Sequence, residues 1–333
     1  MFGGLRLTVG LLSRFCKLNI LMGEDMRLHI HFGIHRTGTT SIHSTLISNL
    51  NKLQQNGILY PSLGVDHRHV RTAWQLISKR IDGEALVGHI NKEVKPSTNM
   101  VILSSEDFSQ LKDARWLQVL SEHFDLTASI YLRRQDLWLE SWYNQNIKWP
   151  WDKRFSNSTP EFFLSKRNEF YWLDYNWLLN TIERYVDRKN IYAQVMEHKI
   201  VPDTTVDFIE CIGLHPEDVD IKKPKNASLT KCQLDILRLI DLSGTKPNQR
   251  TKILRALNAL DIDEFDKSKS VFSERQRKEI LESYSDINVN VAKKYFGRSQ
   301  LFLEPINFPS INKLEKSTIY EKYFPNLLKI LSL

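Results

Sequence analysis

Cysteine is scarce in this chain: Cys16, Cys211 and Cys232 are the three in 333 residues, far apart and without a CxxC spacing. That excludes a disulfide framework and a cysteine-based zinc site, and it fits a reducing compartment, so a cytoplasmic protein is expected. Long apolar runs are missing as well. The first 25 residues, MFGGLRLTVGLLSRFCKLNILMGED, are apolar and basic, but Arg6, Arg14 and Lys17 interrupt them too often for a membrane span or a signal-peptide core. Residues 1–26 are expected to be a poorly ordered leader, with Met22 and Met26 as alternative starts. No other stretch approaches the ~18 uninterrupted apolar residues of a spanning helix, so no stable membrane span is expected. A strong charge excess is absent too: 46 basic against 39 acidic residues leave +7. Such a mild surplus suits phosphate, sulfate or an acidic acceptor and does not call for nucleic acid. Internal repeats and low-complexity tracts are lacking, which excludes repeat architectures.

What is present is alternation. MRLHIHFGI has the pattern of a strand, Gly33 opens a turn, and SIHSTLISNLNKLQQNG carries apolar residues at helical spacing up to Gly57. ILYPS reads as a short extended piece and HRHVRTAWQLISKRI as a helix. NMVILSSEDF has the profile of a buried parallel strand whose carboxyl end emerges at a site. A helix (DARWLQVLSEHF), a strand (LTASIYLRR), a helix (QDLWLESWYNQNIKW), a helix (DYNWLLNTIERYV) and a strand (NIYAQVME) follow. Strands interleaved with helices imply an α/β class: a three-layer α/β/α domain with a central, mainly parallel sheet. Beyond KKPKNASLT the pattern is helical, with ERQRKEILESYSDINVNVAKKYF reading as one long helix. The expected organisation is a single domain over 27–333, with an α/β core at 27–215 and a mostly helical extension at 216–333.

The stretch GIHRTGTTS raises the chemistry. A glycine-rich turn between a buried strand and a helix aims backbone N–H groups and the helix dipole at one point, which makes an anion site. Gly33 and Gly38 have the spacing of the nucleotide-binding G-x-x-x-x-G-K-[ST] loop, but Thr39 stands at the lysine position and the charge comes from Arg36. Triphosphate hydrolysis depends on that lysine, so the nucleotide-hydrolase reading weakens while anion binding survives. A second element, YLRRQDLWLESWY, places Arg133 and Arg134 at a strand end and Ser141 two helical turns on. Guanidinium and hydroxyl can together hold another phosphate.

With both elements in view, the sequence resembles the sulfotransferases that use 3'-phosphoadenosine 5'-phosphosulfate (PAPS). GIHRTGTTS is similar to that family's 5'-phosphosulfate loop, and Arg133 with Ser141 to its 3'-phosphate motif. KNASLT and VFSERQRKEILESYSDINVNVAKKYFGRSQLF resemble parts of bacterial sulfotransferase-like proteins, so the likeness spans roughly residues 27–305. The resemblance implies a P-loop NTPase-like sulfotransferase fold and in-line transfer of a sulfuryl group from PAPS to a hydroxyl or amine, without metal. It implies donor binding by Gly33, His35, Arg36, Thr37, Gly38, Thr39, Thr40, Ser41, Arg133 and Ser141. Most characterised members have lysine where Arg36 stands; arginine keeps the charge but does not act as an acid at neutral pH.

For the base we expect Glu106, just past a buried strand at the edge where the loop opens, with capping or ion pairing of the next helix as its rival role. Asp107 is expected to be the helix cap, and Ser104 and Ser105 to be further donor or acceptor contacts. Tyr60, His67 and His69 are expected near the acceptor; aromatic walls suit a carbohydrate, while a glycolipid or small alcohol stays open. His29 and His31 share a strand face without a third ligand, so packing is expected and a metal is not. The tryptophans, Trp138, Trp142, Trp149, Trp151, Trp172 and Trp177, are expected as core and subsite wall. Two rival functions stay open: a P-loop-type small-molecule or sugar kinase using ATP, and a non-catalytic nucleotide-binding protein of the same fold.

Overall fold

The strand-forming run RLHIH becomes β1 (Arg27–His31), buried along four of its five residues because it sits in the middle of a sheet. The computed structural model describes residues 26–63, 67–223, 228–240, 242–263, 266–306, 308 and 315–332. Apart from Met26, the expected leader lies outside these residues, as do Cys16 and part of KNASLT.

In chain order β1 is followed by α1 (Thr39–Ser48), α2 (Leu50–Gln55), β2 (Ile58–Leu59), α3 (Val70–Ile77) and α4 (Gly83–Asn91). Next come β3 (Met100–Ser104), α5 (Arg115–Ser121), β4 (Asp125–Leu132), α6 (Gln135–Lys148), α7 (Pro160–Ser165), α8 (Tyr175–Glu183), β5 (Ile191–Val195) and α9 (Thr204–Cys211). The remainder is helical: α10 (Lys231–Ile240), α11 (Pro247–Ala259), α12 (Glu274–Ser283), α13 (Ser285–Phe296) and α14 (Phe324–Leu331). The five strands form one all-parallel sheet in the order β2-β3-β1-β4-β5. The chain is thus an α/β protein with a parallel sheet flanked by helices and a helical C-terminal region, as its alternation implied.

Three local expectations are corrected. The ILYPS strand is only Ile58–Leu59, because Pro61 lacks the N–H that a longer strand would need. The long helix expected over 274–296 breaks at Tyr284, whose backbone (φ −112°, ψ 5°) leaves the helical region. Helix α4 was not anticipated. Its two glycines dilute the helical signal, and it is started by Asp82, whose carboxylate accepts from the Ala85 N–H at 2.9 Å.

The described residues fall into two compact units, 26–132 with 177–223 and 133–176 with 228–332. In the first, the sheet carries α1 and α9 on one face, where Ile42, Leu46, Phe208 and Ile209 pack with Ile102 and Tyr131. By strand alternation Leu28 and Ile30 point to the opposite face. Phe32, Phe108 and Trp116 stack together past the strand end. In the second unit, α6 buries Trp138, Leu139 and Tyr143. Around them Trp142, Trp172, Phe170, Phe163 and Phe272 form a continuous aromatic core. Trp149 and Trp151 are exposed and Trp177 is half-buried, so the core expectation holds in full for Trp138, Trp142 and Trp172.

Candidate functional site

Register brings the site's parts together in the first unit. His31 pairs with Ser104 on β3 and Ser129 on β4, so the loop after β1 and the turn after β3 leave the sheet side by side at its carboxyl edge. In open parallel α/β sheets this edge is where ligands bind. The loop is fastened to β4: the Phe32 N–H donates to Ser129 O at 3.0 Å and the Tyr131 N–H to Gly33 O at 2.9 Å. Gly33 has φ +83°, and a Cβ there would lie 2.7 Å from Glu106 Cα, so the loop backbone lies directly against Glu106. Gly38 (φ +92°) is the N-cap of α1, and a Cβ there would collide with the Thr204 hydroxyl. Thr37 Oγ1 donates to Ile34 O at 2.6 Å and braces the arch from within.

Arg36 stands at that arch with φ 67°, a left-handed backbone that costs a non-glycine residue roughly 1–2 kcal/mol. Burial lowers the proton affinity of its guanidinium from the ordinary value and the Glu106 carboxylate raises it, so the two are in electrostatic reach. This backbone stands two residues before the N-cap of α1, and the N–H groups of a first helical turn can accept an anion.

The loop hydroxyls divide. Thr37 and Ser41 spend their hydroxyl protons on backbone carbonyls, of Ile34 and Lys222 respectively, and the Ser41 N–H donates to Gly38 O at 2.9 Å. Thr40 is exposed, while Thr39 is buried in the first helical turn. Arg36, the early helix amides and Thr40 are therefore the groups of the loop best disposed toward a ligand. His35 is 3% exposed, and its Nε2 is 3.2 Å from Asp107 Oδ1, a buried pair that ties the loop to the turn after β3.

That turn corrects two expectations. The cap is Ser105, whose hydroxyl accepts from the Asp107 N–H at 3.2 Å, and not Asp107, which is taken up by His35 and by Gln110 at 2.9 Å. Glu106 is consequently released from capping; its side chain is 18% exposed and lies 3.9 Å from His43 Nε2. Ser104 is fully buried, its hydroxyl lying between His31 Nδ1 (2.7 Å) and His43 Nε2 (2.9 Å). His43 was not singled out by sequence reasoning; its only signal is a polar residue on the inward face of an otherwise apolar helix stripe.

The expected acceptor residues separate. His69 is 1% exposed, its Nε2–H donating to Pro61 O at 2.7 Å and its Nδ1 accepting from the Ser104 N–H at 3.0 Å. Both ring nitrogens serve the backbone, so it anchors the β2–α3 segment to β3. Tyr60 and His67 stack at 5.9 Å and line a cavity of about 420 Å³ with Gln54, Lys92, Glu93 and Lys95. His29 bonds Thr127 Oγ1 (2.9 Å) and Ser129 Oγ (2.8 Å). Burial, then Arg27, lowers its pKa to about 4, so it is a neutral packing residue at pH 7. Among the described residues, no group of His, Cys, Asp and Glu side chains is placed to hold a metal ion.

In the second unit, the two adjacent arginines have different surroundings. Arg134 is buried and grips Asp136 with Nε at 2.7 Å and Nη2 at 3.2 Å; Asp136 also accepts from Arg277 at 2.9 Å, and Arg277 reaches Glu140 at 2.6 Å. Arg133 is half-buried and its carbonyl accepts from the Tyr175 hydroxyl; Ser141 is half-buried on α6. Arg134 is thus the structural ion-pair residue, which leaves Arg133 as the arginine spaced for Ser141.

No protein-family model matches the chain. It is similar to an uncharacterized protein of Archaeoglobus fulgidus, with 30% identity over 210 residues, 61% of this chain and 55% of that protein. The chain spans about half the length of the curated relative it matches. No described helix is long and apolar enough to cross a membrane.

Proposed function

We propose that the protein is a PAPS-dependent sulfotransferase acting on a hydroxyl or amine acceptor such as a carbohydrate. The observation that carries this reading is the loop after β1: Arg36 at a left-handed arch, Gly38 capping a ten-residue helix, and Glu106 against the loop backbone. On this reading the α1 amides and Arg36 receive the 5'-phosphosulfate and stabilise charge on the leaving phosphate. The acceptor oxygen or nitrogen attacks sulfur, the sulfur–oxygen bond to phosphate breaks, adenosine 3',5'-bisphosphate leaves, and the acceptor proton passes to Glu106. Arg36 contributes charge and no proton. Arg133 and Ser141 take the 3'-phosphate, an assignment that rests on the sequence motif.

Thermal shift with adenosine 3',5'-bisphosphate against ATP tests it. At a hundredfold excess over Kd, the bisphosphate is expected to stabilise the protein by about 2.7 kcal/mol. Arg133→Ala and Ser141→Ala should weaken that gain. Equal or stronger stabilisation by ATP with magnesium would instead favour a kinase. Bisphosphate binding with no transfer to glycans, lipids or phenols would favour a binding protein. Arg36→Ala and Glu106→Ala should each keep the fold and lower turnover, by on the order of a hundredfold or more for the base.

A further inference from the structure

Behind Glu106 lies a line of groups that the transfer described above leaves unused. His31 on β1, Ser104 on β3 and His43 on α1 are each at most 4% exposed and meet at one hydroxyl, Ser104 Oγ. Glu106 Oε2 lies 3.9 Å from His43 Nε2 and has no hydrogen-bond partner among the described residues. A small rotation of the Glu106 side chain would turn this contact into a hydrogen bond, provided His43 Nε2 carries the proton.

Ser104 decides whether it does. Its hydroxyl has one proton and serves two rings. Were that proton given to His43, the Nε2 lone pair would face a carboxylate with nothing between them. Given to His31 Nδ1, it leaves His43 as the Nε2–H tautomer, whose proton lies between Ser104 Oγ and the Glu106 carboxylate. The anion favours the second arrangement. The His31 ring packs beside those of Phe208 and Tyr131, with centroids at 5.1 and 6.0 Å. Ser104 itself is fixed by its N–H bond to His69.

We propose that His43 is a positioning residue: as the Nε2–H tautomer selected by Ser104 and His31, it holds the Glu106 carboxylate in place beside the Arg36 loop. Burial lowers the His43 pKa below its ordinary value, so the ring donates as a neutral group at pH 7. The charged groups bearing on it are Glu106 and Asp107 from the turn after β3, which raise its pKa, and Arg68 from the segment before α3, which lowers it. His31 is its neighbour on β1.

The catalytic meaning of this array rests on the sulfuryl-transfer reading, whereas its geometry is testable without turnover. Nitrogen-15 NMR of the histidine rings should show His43 protonated at Nε2 in the full chain, and a mixture of tautomers in Ser104→Ala. In Glu106→Ala the ring should stay neutral to lower pH than in the parent. A His43 ring protonated at Nδ1 in the parent protein would overturn the proposal. In turnover, His43→Phe should lower kcat on the order of tenfold to a hundredfold at unchanged KM for the donor. His43→Gln, with an amide donor of similar reach, should recover most of the loss. A rise in KM alone, or no recovery with Gln, would overturn the positioning role. If the NMR results stand while the parent protein transfers sulfate to no acceptor, the coupling of His43 to Glu106 is supported and the sulfotransferase reading is the one that falls.

Discussion

Gly33 shows how closely one residue can bind two elements. Its φ of +83° and the 2.7 Å between a built Cβ and Glu106 Cα leave no space for a side chain and no relaxed backbone for one. Gly33→Ala should therefore destabilise the fold by about 1–3 kcal/mol, measured by urea denaturation, and displace Glu106 as it does so. His29 makes a second prediction at this scale. Its pKa is about 4 in the folded chain and 6.5 when unfolded, so the unfolded state binds the extra proton as pH falls. Stability is fully present above pH 6.5 and should drain away between 6.5 and 4, by up to about 3 kcal/mol. Urea midpoints measured across that window should fall in the parent and fall less in His29→Gln. The residue scale is also where sequence served the site best: Gly33, Arg36, Gly38 and Glu106 lie close in sequence to strand ends, and a parallel sheet delivers strand ends to one edge.

At the scale of elements, α6 carries neighbours with opposite duties. Asp136 is fully buried between Arg134 and Arg277, so Asp136→Asn removes the carboxylate that Arg134 grips and leaves Arg277 with Glu140 alone, and should cost about 3–5 kcal/mol in thermal unfolding. Arg134→Ala should likewise lower Tm. Arg133→Ala should reduce the shift given by the bisphosphate. Sequence spacing favours Arg133 over Arg134 as the partner of Ser141, and the full ion-pair network that holds Arg134 is visible only with Arg277, 141 residues beyond Asp136. The same holds for His43, whose partners Ser104 and Glu106 lie about 60 residues away, where periodicity gives no information. Strands and most helices were legible because they depend on local alternation. Helix α4 and the break at Tyr284 were not, because a glycine-diluted stretch and one non-helical residue barely alter the pattern.

At the scale of the whole molecule, the alternation pattern placed one boundary near residue 215, whereas residues 133–176 find their partners in the helical C-terminal region. Glu140 accepts from the Val271 N–H at 2.6 Å and from Arg277, and Tyr143 packs on Phe272. A fragment ending at residue 223 should consequently bind a hydrophobic dye and be cut by protease within 133–176, while the full chain resists under the same conditions. Nothing local in QDLWLESWYNQN marks it as belonging with residues a hundred positions later.

The interleaving of the two units also sets an order of events at the ribosome. The tryptophan-rich stretch 133–176 is synthesised well before Phe272 and Arg277, and at ~5–20 residues per second it waits on the order of ten seconds for them. During that interval its apolar side chains are exposed, and at its start the sheet beside it in the chain is still awaiting β5. A protein built this way depends on chaperone occupancy during synthesis more than one whose units are finished one after the other, and its yield should respond to translation speed downstream of residue 176.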